Sequence, residues 1–221
     1  MVRLDIRNLF DEARYFSEQE SLHDEPTLFG VTDGKAVGTY LEQKFRNHLL
    51  SKYDFQVGNS ARGIDFPSLS IDMKVTSIKQ PQSSCPFKSA RQKVYGLGYG
   101  LIIFVYDKVD DSFNRTSRLN ICHTIYVEAE RTADYQLTKS INDILDNNGN
   151  EDDLIALFEE KFLPVDEIGA RDIANEIMRE RPQVGCLTIS NALQWRLQYT
   201  RAISWAGCER GVYSLHRTLG L

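Results

Sequence analysis

Three polar side chains, Asp65, Asp72 and Lys74, stand close enough in sequence to act on one substrate atom. The run from Ser70 to Val75 alternates. In an extended strand it would turn Ile71, Met73 and Val75 to a core and Asp72 and Lys74 to the opposite face. Asp65 precedes them across a short turn holding Pro67 and Ser68. If Asp65 ends a preceding paired strand, both carboxylates can bind one divalent ion while Lys74 points at the same spot. Mg²⁺ takes oxygen ligands, usually one or two carboxylates plus water and phosphate oxygens. It polarises a phosphoryl oxygen and lowers the pKa of its water. A lysine beside it can orient or deprotonate that water, or neutralise charge building on phosphorus. The inventory suits Mg²⁺-dependent hydrolysis of a phosphodiester. It also suits a plain exposed ion pair between Asp72 and Lys74, worth roughly 0.2–1 kcal/mol.

The elements around the triplet must hold it in place. Residues 3–23 read as a helix, with Leu4, Leu9, Phe10, Ala13 and Phe16 near helical spacing. Thr39–Leu50 reads as a second amphipathic helix, with Thr39 as N-cap and Glu42 three residues on, as in a capping box. Tyr53–Val57 is a first strand, broken by Gly58-Asn59-Ser60, and Arg62 then leads toward Asp65 as a turn residue or a phosphate contact. Phe87–Leu97 reads as a helix with Lys88, Arg91, Gln92 and Lys93 on its polar side, suited either to DNA backbone contact or merely to solvent. Gly98–Tyr106 is almost continuously apolar, which predicts a strand buried on both faces at the sheet centre. Asn120–Glu128 reads as a further strand. The order helix, strands, helix, strand implies an α/β core with a mixed central sheet flanked by helices.

Asp65, then Asp72-Met73-Lys74 on an amphipathic strand, resembles the PD-(D/E)xK nuclease superfamily, and within it the type II restriction endonucleases. Ile64 stands where the motif has proline, and the second acid is Asp rather than Glu. The resemblance covers roughly residues 34–130. It implies a restriction-endonuclease-like core and Mg²⁺ held by Asp65 and Asp72, with Lys74 assisting the water. Many relatives carry a Glu on the helix before the sheet, which implies a supporting metal or water ligand at Glu42. A polar residue on the following helix falls at Gln92. The implied reaction is cleavage of both strands of double-stranded DNA at a short palindromic site, which a two-fold homodimer would match.

From Asp134 onward the pattern turns helical, over Tyr135–Asp146, Glu151–Phe162 and Asp166–Arg181. Ser190 is a fitting N-cap for a last helix reaching Trp205. That helix would be the second of a helix-turn-helix, reading a major groove through Asn191, Gln194, Gln198 and Arg201, with Arg196 beside them. The other reading is a packing helix whose arginines stretch to solvent. The chain therefore divides into a nuclease core with N-terminal helices over 1–133 and a helical part over 134–221.

The net charge of −5 is unusual for a nucleic-acid binder, yet local patches rather than totals bind phosphate. Residues 143–180 carry twelve Asp/Glu against Lys161, Arg171 and Arg179, so the acidity lies away from the triplet. Cys85, Cys122, Cys186 and Cys208, and the four histidines, are scattered, which gives no zinc or disulfide spacing. There is no apolar run of membrane-spanning length and no secretory leader, so a prokaryotic cytoplasm is expected. A nicking or structure-specific repair nuclease with the same centre, and a non-catalytic helix-turn-helix DNA-binding protein, are the competing readings.

Overall fold

The computed structural model describes residues 2–58, 63–190 and 196–218, leaving aside the side chain of Ser190. In chain order the first elements are β1 (Val2–Arg3), α1 (Ile6–Glu20), β2 (Asp24–Glu25), α2 (Gly34–Leu50), β3 (Tyr53–Asp54), β4 (Ile71–Ser77) and β5 (Gln82–Ser84). There follow α3 (Ala90–Tyr95), β6 (Gly100–Asp111), β7 (Thr116–Val127), α4 (Tyr135–Asp146), α5 (Glu151–Glu160) and α6 (Glu167–Arg179). The chain closes with β8 (Thr188–Ser190), β9 (Arg196–Gln198), α7 (Thr200–Trp205) and β10 (Val212–Arg217).

The main sheet runs β10-β7-β6-β4, with β2 also on β7. β4 lies parallel to β6 and the other pairs are antiparallel, so this α/β sheet is mixed as expected. β6 is the inner strand that its apolar run predicts. Ile102, Phe104 and Tyr106 enter one core, with α1 and α2. Leu101, Ile103 and Val105 enter the other, with Ile189, Leu197 and Tyr199. A third core joins α3 to α4, α5 and α6.

α2 begins a turn and a half earlier than its sequence implies. Asp33, not Thr39, caps it, with Oδ1 accepting from the Lys35 N–H at 3.0 Å. The Thr39–Glu42 capping box is therefore not formed. Gly34 and Gly38 look like helix breakers in sequence, but Gly38 is buried against Val75 of β4. Val37, Leu41, Phe45 and Leu49 seat the helix on the sheet. Phe45 is fully buried, with ring centroids 5.0 Å from both Phe16 and Phe104. We expect Phe45→Ala to lower the unfolding free energy by about 3–5 kcal/mol, measured by denaturant titration; a loss under about 1 kcal/mol would contradict this packing.

The largest departure lies after Arg179. Among the described residues of 190–205 the expected continuous helix is not formed. Thr188–Ser190 and Arg196–Gln198 are strands that join β5 in a three-stranded antiparallel sheet, and only Thr200–Trp205 is helical. Leu197 and Ile189 must enter the core together with Tyr199, and a period of two does that where a helix would splay them. The 134–221 stretch is thus not helical throughout, and β10 returns to the main sheet. Among the described residues no helix is long and apolar enough to cross a membrane.

Candidate active site

β4 lies at the edge of the main sheet, and Asp65 reaches it by folding back. Phe66 and Ile71 exchange backbone hydrogen bonds, Phe66 N–H to Ile71 C=O at 2.9 Å and the reverse at 3.3 Å. Pro67–Leu69 forms a single 3-10 turn between them, with Ser70 in the left-handed region at φ 54°. This tight loop converts the six-residue gap into side-by-side placement. Asp65 Oδ2 accepts from the backbone N–H of Met73 at 3.1 Å, within β4 itself. Its Oδ1 accepts from an Arg46 guanidinium nitrogen at 2.6 Å.

Asp72 is 3% exposed, while Lys74 keeps partial access to solvent. Lys74 Nζ lies 2.6 Å from Asp72 Oδ2, as an ion pair. That oxygen is buried and receives no directed hydrogen bond. Burial pushes the Asp72 carboxyl up to about 6; Lys74 opposes the rise and the neighbouring Asp65 adds to it. Glu42 projects from α2 into the same field. Burial, with repulsion from Asp65 and Asp72, pushes it up to about 7 against the pull of Lys74 and Arg46. Among the described residues no three His, Cys, Asp or Glu side chains are arranged to hold a metal by themselves. Asp65 and Asp72 nevertheless fit a Mg²⁺ ion, whose remaining ligands are ordinarily water and phosphate. A buried carboxylate oxygen lacking a hydrogen bond, among acids that repel one another, is what a divalent cation would satisfy.

These shifts have a signed consequence. Both acids hold their protons more tightly in the fold than at their ordinary values of 3.8 and 4.5. The stabilisation this gives is complete below those values and is lost as pH rises through about 6 and about 7. In EDTA the Tm should therefore fall from about pH 5 to about pH 8, and Mg²⁺ should restore it at the higher pH. A Tm insensitive to Mg²⁺ at both ends would speak against an ion at these acids.

The other sequence candidates are dispersed. Lys88 is exposed just before α3. Arg91 is engaged in a two-point contact with Glu176 and stacks on Tyr95. Gln92 is spent locally, accepting from the Lys88 N–H at 2.7 Å and donating to the Leu97 C=O at 3.3 Å. Lys93 was expected on the polar side of this helix and is instead buried, because α3 is shorter than Phe87–Leu97 and turns Ala90, Lys93 and Val94 inward. Arg196 and Gln198 are half-buried in β9, and Arg201 lies in α7. Arg62, Asn191 and Gln194 fall outside the described residues. Arg46 was missed; its signal was its place one turn after Glu42, on the same helix face. A cleft between α1 and α2, lined by Tyr15, Glu20, Lys44 and His48 among others, includes none of these acids.

The family model described as type II restriction enzyme NspV matches residues 3–214. A curated protein from Nostoc sp. (strain ATCC 29411 / PCC 7524), described as type II restriction enzyme NspV, is 64% identical over 217 residues, 98% of this chain and 99% of that one. No solved structure matches the chain.

Proposed function

The chain belongs to the NspV family of type II restriction enzymes, and on that premise we propose that it cuts both strands of duplex DNA at a short palindromic site by attack of water on phosphorus. The observation that carries the assignment of roles is the fold-back that sets Asp65 against β4 beside Asp72 and Lys74. Asp65 and Asp72 would hold Mg²⁺. When bound, the ion supplies a polarised phosphoryl oxygen and a water of lowered pKa. Lys74 Nζ stands next to Asp72, where it can orient the attacking water or shield the charge gathering on the phosphate. Glu42 faces the same field and assists as a water or metal ligand. Arg46 acts as a positioning residue by holding Asp65 Oδ1. A palindrome needs each strand attacked alike, so two copies related by a two-fold axis form the working unit.

Base readout is proposed for the small sheet rather than for a helix. Gln82, Gln198 and Thr188 stand on one rung of it, while Leu197 and Ile189 on the next are buried. Gln pairs with adenine edges and Thr with several bases, and a β-ribbon enters a major groove. Lys88 serves the backbone. Gln198→Ala should then lower the preference for the true site over other DNA by about 5- to 150-fold, read by competition binding; an equal loss on all sequences would assign Gln198 to phosphate instead.

The test of the whole reading is digestion of DNA of known sequence with Mg²⁺ and mapping of the fragment ends. Double-strand breaks at one short repeated sequence are expected. Nicks on one strand alone, or intact DNA, would overturn the reading.

A further inference from the structure

Away from the acidic centre, two arginines stand without the partners that arginines usually have. Arg131 follows β7 in the short 3-10 helix Ala129–Thr132, and Arg201 lies in α7. Both press on one indole: their guanidinium carbons lie 5.3 Å and 5.4 Å from the centre of the Trp205 ring. Arg201 also lies 3.4 Å over the ring of Tyr135, which meets Trp205 edge-on at 5.6 Å. The Nε of each arginine is buried without an acceptor. Among the described residues neither guanidinium donates a hydrogen bond or joins an ion pair; besides these ring contacts both act electrostatically on the buried Cys186 thiol. One oxygen of the nearby Glu128 carboxylate, Oε1, accepts from the Tyr213 hydroxyl at 2.8 Å.

That arrangement is costly unless something completes it. Of the five N–H donors of each guanidinium, the one at Nε is sheltered without an acceptor and forfeits its hydration. Two like charges on one ring also repel. The aromatic faces offset part of this and fix both planes, but they accept no hydrogen bond. The group that would satisfy two stacked guanidiniums is an anion rich in acceptor oxygens, and a phosphate fits that fork geometry.

The position agrees. Asp72 pairs with Leu101, and Leu101 pairs with Val127, so the three stand on one rung across β4, β6 and β7. Strand spacing sets Val127 roughly 10 Å from Asp72. Arg131 lies four residues beyond that rung, and Leu101, Val127 and Trp205 share one core. A DNA strand reacting at Asp72 would carry its next phosphates past this end of the sheet.

We propose that Arg131 and Arg201, stacked on Tyr135 and Trp205, form a clamp for a DNA backbone phosphate flanking the bond that is cut. This rests on the DNA-cleaving reading above. The test uses the full-length protein with Ca²⁺ in place of Mg²⁺, and a duplex holding the mapped site, over about 50–400 mM KCl. Arg131→Ala and Arg201→Ala should each weaken binding and flatten the slope of log affinity against log salt by about 0.9 per lost phosphate. The preference for the true site over other DNA should stay as in wild type. If an alanine variant does not fold, Arg131→Lys and Arg201→Lys carry the test. Each keeps the charge and loses the fork, so affinity should fall with the slope nearly unchanged.

A lower Tm with affinity and slope untouched would mean that the arginines only pack, and would overturn the clamp. Stabilisation of wild type by inorganic phosphate, again with an unchanged DNA slope in the variants, would assign the site to a free anion and overturn it as well. Wild-type protein that neither binds nor cuts DNA would overturn the nuclease reading together with the clamp. Wild-type binding whose slope both alanine variants leave intact would overturn the clamp alone.

Discussion

Asp72→Asn should leave duplex DNA essentially uncut, with the single-turnover rate lowered by at least about 1000-fold. Asparagine keeps the shape of the side chain and removes the anionic oxygen that Lys74 now approaches at 2.6 Å. The same change should not harm the fold. A 3%-exposed acid whose carboxyl is pushed up to about 6 by burial and by Asp65 is held at a cost, and a neutral amide relieves it. The Tm in EDTA at neutral pH should therefore hold or rise. Loss of activity with a preserved Tm is the combined result expected. Activity within about tenfold of wild type would remove Asp72 from the reaction.

Lys74→Ala should have the second-largest effect, lowering the rate by about 100- to 10,000-fold. Here stability suffers too. The buried Asp72 loses the cation paired with it, and breaking such a pair costs up to about 3–5 kcal/mol, less what Asp72 recovers by taking a proton. Because Lys74 is the group that opposes the rise at Asp72, its removal moves that carboxyl further upward. The rise of the remaining activity with pH should accordingly be displaced to higher pH than in wild type. Lys74→Arg keeps the charge and separates the two effects, with stability restored and the rate still low. Measurement of Tm and pH–rate profiles for the three proteins decides between a reacting lysine and a surface ion pair.

How much of this was legible in sequence depends on how local each cause is. Alternation from Ser70 to Val75 pointed to β4, and the almost continuous apolar run Gly98–Tyr106 pointed to an inner strand, because burial pattern follows directly from side-chain period. The turn that sets Asp65 beside β4 is also local, six residues closed by one 3-10 turn. Arg46 had only its place one turn after Glu42 to mark it, and its hold on Asp65 crosses from helix to loop, which spacing does not show. β10 was overlooked because a register shift between Ser214 and His216 breaks its alternation, leaving Val212 and Leu215 buried three apart as a helix would. The stretch from Ser190 to Trp205 misled for the converse reason. Its propensities and cap suit a helix, but Leu197 and Tyr199 have to enter the core beside Ile189, and tertiary packing overrides local preference. The proposed base readout accordingly moves from a helix face to a sheet face, with Gln198 on it in either case.

Binding of Mg²⁺ between Asp65 and Asp72 is tested most directly by calorimetric titration of the ion into protein bound to a cleavage-resistant duplex. The expected result is a saturable site lost in Asp65→Asn and in Asp72→Asn alike, and kept in Glu159→Gln, whose acid is exposed on α5. Unchanged affinity and stoichiometry in both asparagine variants would show that the ion is held elsewhere, and the roles given to Asp65, Asp72 and Lys74 would be wrong.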